Sequence, residues 1–101
     1  MHMAINLVTY RKGGKHADMT AAAKQLKALV LKHGGEGLQL STVIAGPDAG
    51  QWVLVLSFSN WESYGKAMAG ATSDPAFERT LGKLEAAGET ISRRLVAGVD
   101  F

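Results

Sequence analysis

The stretch from Gln51 to Ser59 reads Gln-Trp-Val-Leu-Val-Leu-Ser-Phe-Ser. Successive side chains of a strand point to opposite sides. One face therefore carries Trp52, Leu54, Leu56 and Phe58, and the other carries Val53, Val55 and Ser57. Both faces are apolar enough to call for cover. A chain of 101 residues has helix enough to cover one face of a sheet, and hardly two. The pattern predicts that the second face meets another copy of the chain, a homodimer formed through the sheet.

Length and composition narrow the class further. The residues 1–101 fit a single domain with one core. Hydrophobic residues make up 47% and charged residues 20%, an ordinary globular balance. The net charge is only +2, and the basic pairs Arg11-Lys12 and Arg93-Arg94 are isolated, so no nucleic-acid partner is expected. There is no cysteine, which removes disulfides, thiolate metal sites and a cysteine nucleophile. No run approaches about 18 apolar residues, so no membrane-spanning helix is expected. No signal-peptide pattern stands at the start. A cytoplasmic protein is the expectation. Met1-His2 precedes a second methionine, Met3, and His2 is set aside from the functional reading.

Periodicity divides the chain. Met3 to Arg11 alternates as a first strand, and Gly13-Gly14 breaks it. From about His16 to His33, the positions Met19, Ala22, Ala23, Leu26, Leu29, Val30 and His33 fall on one helical face. Gly34-Gly35 supplies the stop. Leu38 to Ala45 returns to period two, and the turn formers from Ala45 to Gly50 join it to the Trp52 strand as an antiparallel hairpin. Ser59-Asn60-Trp61-Glu62 has the form of a capping box, so a helix begins there, with Trp61, Tyr64, Met68 and Ala71 on one stripe. Thr72-Ser73-Asp74-Pro75 interrupts it. Pro75 suits the first turn of a new segment capped by Ser73 or Asp74. Phe77, Leu81 and Leu84 form that segment's inner face, Gly88 ends it, and Ile91 to Val99 is the last strand.

The order β-α-β-β-α-β gives an α+β, ferredoxin-like domain: a four-stranded antiparallel sheet with the helices on one face. At this point the chain resembles the dimeric α/β-barrel superfamily, and within it the antibiotic-biosynthesis-monooxygenase-like proteins. The resemblance spans essentially the whole chain. It rests on the element order, on Val53 to Phe58 running into Ser59-Asn60-Trp61-Glu62-Ser63-Tyr64, and on Ser73-Asp74-Pro75-Ala76-Phe77. It implies a dimeric α/β barrel. The activities it implies are diverse: quinol and polyketide-modifying oxygenases, haem-degrading enzymes, isomerases and ligand-sensing domains. Residue by residue, Asn6 matches the first-strand Asn of the haem-degrading members. Gly70 stands where their Trp would be and Leu81 where their His would be, and no His follows His33. Haem binding is therefore not expected, and no cofactor is implied.

Candidate site residues follow from the residues and from the resemblance together. His16 and His33 lie about 25 Å apart along one helix, so they cannot share a metal within a chain, and no metal site is expected. His33 reads as a helix-end residue interacting with the dipole. His16, at a helix entrance, reads either as a surface or capping residue or as a proton-transfer group, and it is the sole histidine candidate for a catalytic base. Trp61, Tyr64, Met68 and Phe77 read as core or as the wall of a cleft. Asn6 and Tyr10 share a face of the first strand and read as pocket or dimer residues. Arg94 or Asn6 is the candidate stabiliser of a ligand's negative charge. The four glutamates Glu62, Glu78, Glu85 and Glu89 read as solvated charges. Three functions stay open. One is a cofactor-independent oxygenase or isomerase acting on a small aromatic or polyketide-like molecule. The second is a non-catalytic binder of a small hydrophobic ligand. The third is a structural dimer whose pocket is filled by its own side chains.

Overall fold

A computed structural model describes residues 3–11 and 16–98. Its elements are β1 (Ala4–Tyr10), α1 (His16–Lys32), β2 (Gly37–Thr42), β3 (Trp52–Phe58), α2 (Trp61–Thr72), α3 (Pro75–Ala87) and β4 (Thr90–Ala97). The turn expected at Gly13-Gly14, the basic residue Lys12, Met1-His2 and the end of the last strand at Val99 lie outside the described residues.

The four strands form one sheet in the order β2-β3-β1-β4, every neighbouring pair antiparallel. This is the ferredoxin-like arrangement that the element order predicts, with the second helical region split in two at Ser73-Asp74. The sheet of one chain is open and does not close into a barrel. Register assigns the faces. Ala4, Asn6, Val8 and Tyr10 of β1 stand beside Phe58, Leu56, Leu54 and Trp52 of β3. Leu38 and Leu40 of β2 join that face through Leu56 and Leu54. The helices pack here: Met19, Ala22, Ala23, Leu26 and Val30 of α1 and Leu84 and Ala87 of α3 complete the buried core. Ile5, Leu7, Val53, Val55 and Val96 fall on the opposite face, which no described helix covers.

The helix ends correct one detail of the sequence reading. Asn60, not Ser59, caps α2: its Oδ1 accepts from the Ser63 N–H at 2.8 Å. Ser59 instead shares a hydrogen bond between hydroxyls with Ser63 at 3.0 Å, so the Ser-x-x-Glu spacing does not act as a capping box. An extended Asn one residue later offers a better acceptor to the same N–H groups. At the other end of α1, Gly34 takes the left-handed conformation at φ 100°. A Cβ on Gly35 would collide with the Val30 side chain. The chain thus stops and folds back tightly against its own last turn.

Asp74 ties the break between α2 and α3 to the end of α1. Its Oδ1 accepts from the Ala76 N–H at 3.0 Å, and its Oδ2 receives Lys32 Nζ and His33 Nε2, each at 3.1 Å. His33 is therefore partnered across elements as well as standing at a helix end. The Ala76 N–H, then His33 and Lys32, hold the Asp74 carboxyl well below its ordinary value of 3.8. A carboxyl held low in the fold stabilises it fully above the unfolded value, and that stabilisation fades as pH falls from there. Asp74→Asn is therefore expected to melt below the wild type near neutral pH, with the gap closing as pH falls below about 4. Thermal melts of both proteins across that range check this; a gap constant with pH would contradict it.

Candidate functional site

The helices do not seal the inner face of the sheet. A cavity of about 310 Å³ lies between it and all three helices. The inner residues of β1 and β3 form its floor, among them Asn6, Val8, Leu54 and Leu56. Leu26, Leu29 and Val30 of α1 and Ala67, Met68 and Ala71 of α2 form much of its wall. The small side chains on α2 keep that helix from filling the space. The break at Asp74-Pro75 lets α3 set off in a new direction. Phe77, Leu81 and Glu85, spaced by four residues along α3, line the third side.

Most polar groups of the cavity gather along the β1–β4 seam, with Thr72 of α2 and Glu85 of α3 besides. Asn6 is 4% exposed, and its Oδ1 accepts from Arg93 Nε at 3.3 Å. Arg93 Nη2 donates to the Tyr64 hydroxyl at 3.4 Å. Both bonds are long, which leaves the guanidinium free to turn toward a better acceptor. Farther along the same seam stand Tyr10 and Thr90. The pairing of β1 with β4 shifts register between Thr9 and Tyr10: Thr9 stands opposite Ser92, and Tyr10 opposite Thr90. Ile91 is the extra residue of this bulge and is exposed. Without the bulge Ile91 would face Tyr10; with it, the Thr90 hydroxyl does, and bulges re-aim side chains in this way. Burial first, then the Glu85 charge, raises the Tyr10 pKa above 10.0, while the Thr90 hydroxyl and Arg93 act in the other direction. Tyr10 is a neutral hydrogen-bonding group at physiological pH.

Of the residues singled out in the sequence, Asn6, Tyr10, Met68 and Phe77 line the cavity together. Tyr64 stands at its edge, touching Phe58 edge-on with ring centres 5.1 Å apart and reaching Arg93. Trp61 is 48% exposed and packs edge-on against Tyr64 at 5.8 Å, so it extends an aromatic row outward from the lining residue Phe58. Arg94 pairs with Leu7 on the opposite face of the sheet, and its neighbour Arg93 is the cation on the helix side. His16 is exposed and lies 6.0 Å from the Trp52 ring, outside the cavity lining. Glu85, Thr90 and Arg93 are polar lining residues that the sequence reading passed over, as is Thr72 of α2. The Phe77-Leu81-Glu85 spacing carried a signal for the first; the bulge, which decides the second, leaves none. Among the described residues no group of three His, Cys, Asp or Glu side chains is placed to hold a metal. No described helix is long and apolar enough to cross a membrane.

No family model matches the chain, and no curated protein matches its sequence. Solved structures do share its fold. SnoaB, a cofactor-independent oxygenase from Streptomyces nogalater, superposes with a TM-score of 0.69 at 13% identity, covering 99% of this chain and 95% of its own. A nipsnap family protein of unknown function from Agrobacterium tumefaciens reaches 0.73 at 20% identity, covering 99% and 91%. A dimeric ferredoxin-like protein of unknown function from Jannaschia sp. CCS1 reaches 0.68 at 15% identity, covering 97% and 99%. At these identities the likeness is one of fold, the one that the sequence resemblance implied. The activities of such neighbours differ, and the function has to be argued from the cavity.

Proposed function

We propose that this chain binds a small, flat, largely apolar molecule bearing an anionic or strongly accepting oxygen, in the manner of a cofactor-independent monooxygenase acting on an aromatic or polyketide-like substrate. The carrying observation is the cavity with Arg93 at its polar edge. Its size is near the lower end of the about 300–1,000 Å³ usual for small-molecule sites. It is apolar on three sides, and Phe77 and Met68 form its walls without closing it. That favours ligand use over a structural dimer with a filled pocket. An enolate or phenolate formed in such a site would be met by the Arg93 guanidinium and the buried Asn6 side chain. The fold shared with SnoaB supports an oxygenase. The second reading, binding without turnover, is favoured by one observation: no histidine stands among the described lining residues.

Titration calorimetry with 2-naphthoate and naphthalene tests the reading. The naphthoate is expected to bind, and Arg93→Met to weaken it by about tenfold or more, the scale of a lost charged hydrogen bond, while leaving naphthalene unchanged. Equal loss for both probes would count against the role of Arg93, and no binding of either would sink the reading. Oxygen-electrode measurements on hydroxylated probes that bind then separate an oxygenase from a binding protein.

The reading includes a homodimer through the open sheet face. Ile5, Leu7, Val53 and Val55 are only half-buried within one chain, and Val96 is exposed beside them. A contiguous apolar face of this kind calls for a partner. A two-fold axis would supply the same surface as its own complement. The Jannaschia neighbour is described as dimeric.

A further inference from the structure

We infer that Glu85 is a specificity-determining residue that accepts a hydrogen bond from a hydroxyl of the ligand, so that the cavity selects hydroxylated aromatic acids over their unhydroxylated counterparts. This rests on the cavity being a ligand site, as proposed above.

Glu85 sits at the end of the α3 stripe that begins with Phe77 and Leu81, and all three residues face the cavity. Glu85 is exposed on its outer side and lines the cavity beside two apolar wall residues of the same stripe. Across from it the β4 bulge presents the Thr90 hydroxyl and β1 presents the Tyr10 phenol. These are two hydroxyls and a carboxylate gathered at one end of a mostly apolar space. Burial and the nearby carboxylate both favour the neutral form of Tyr10. Glu85 is the one carboxylate among the described lining residues, and a carboxylate only accepts.

Arg93 lies on the same seam, opposite Val8, two strand residues from the Tyr10–Thr90 pair. That spacing is about 7 Å along β1. The site thus offers a donor at Arg93 and, beside the Tyr10–Thr90 pair farther along the seam, an acceptor at Glu85. A ring system with an acidic oxygen toward Arg93 and a hydroxyl toward Glu85 matches both. A ligand with the hydroxyl missing forgoes the hydrogen bond to Glu85, and the difference in affinity between the two ligands measures that bond.

A ladder of four probes, measured by calorimetry on the full chain, tests the assignment: naphthalene, 2-naphthol, 2-naphthoate and 6-hydroxy-2-naphthoate. The wild type is expected to bind the hydroxynaphthoate about tenfold or more tightly than 2-naphthoate, the scale of a hydrogen bond to a charged group. Glu85→Met keeps the length of the side chain and removes the acceptor, so the ratio of hydroxynaphthoate to 2-naphthoate affinity should fall to about one. Glu85→Gln, which still accepts a hydrogen bond, should retain part of the preference. If Glu85→Met weakens 2-naphthoate as much as the hydroxynaphthoate, Glu85 merely supports Arg93 and the inference is overturned. If the probes bind with no hydroxyl preference, it fails while the cavity reading survives. If none of the four binds, both fail together. Circular dichroism of each variant excludes a folding defect, which the exposed position of Glu85 makes a remote cause.

Discussion

Trp52→Ala is expected to lower the unfolding free energy by about 3–5 kcal/mol. Trp52 opens β3 on the helix side and is 1% exposed. Its ring is walled by Met19 of α1 and by Gly88, where the chain turns from α3 into β4. Gly88 has no room for a side chain: a Cβ there would come within 2.9 Å of the Arg11 carbonyl oxygen and 3.4 Å of the Trp52 ring. Backbone and ring therefore hold one another, and a void left at Trp52 cannot be closed by a small shift of the neighbours. Against a total of about 5–15 kcal/mol for a domain of this size, such a loss approaches unfolding. Urea titration followed by circular dichroism should show a midpoint lower by about 2 M, given slopes near 1–3 kcal/mol/M. Trp52→Phe should cost much less, because it keeps the ring and removes an indole N–H that has no hydrogen-bond partner among the described residues. A Trp52→Ala loss under about 1 kcal/mol would show that the site collapses freely and that β3 is not anchored there.

What could be read from the sequence and what could not divides along one physical line. Period fixes which residues share a face, so the strands, α1 and the face carrying Trp52, Leu54, Leu56 and Phe58 were legible. The break at Ser73-Asp74-Pro75 was legible too, because proline removes an N–H and Asp74 offers a cap. Register is different. It depends on pairing between distant segments, and the bulge at Ile91 reverses the parity of the first residue of β4. Choosing Arg94 over Arg93 is a parity error of this kind: adjacent residues of one type point to opposite faces, and only the pairing with Val8 and Leu7 says which faces the helices. Glu85 was hidden for another reason. Its charge suggests solvent, and only the gap left by the small residues of α2 turns that position into a cavity wall. Gly70 carried a signal that composition alone does not interpret. A Cβ there would meet His33 Nδ1 at 2.5 Å, so the glycine makes room for the imidazole that pairs with Asp74.

The open face of the sheet carries the second large prediction. Light scattering at micromolar concentration should give twice the 10.7 kDa chain mass, and Val55→Asp should return it to the mass of one chain. Val55 is central on that face, between Leu7 of β1 and Gln39 of β2. Within one chain it is only half-buried, so a charge there can remain solvated and the monomer can keep its fold. Between two packed sheets the same charge would be stripped of water with no built partner, at a cost of several kcal/mol per site, entered twice by symmetry. A standard interface buries about 1,200–2,000 Å² and has little margin for such a penalty. Arg94 lies on this face beside Leu7, where it is a candidate partner for an Asp at position 55. Val55→Lys removes that pairing, since Arg94 repels a lysine; both signs of charge should give monomers if burial is the cause. Circular dichroism should stay near the wild type for both. A wild-type monomer, or a dimer untouched by either charge, would show that some other surface covers the chain or that none does. The cavity argument would outlive that result, because its described lining comes from a single copy, with Val55 on the far side of the sheet.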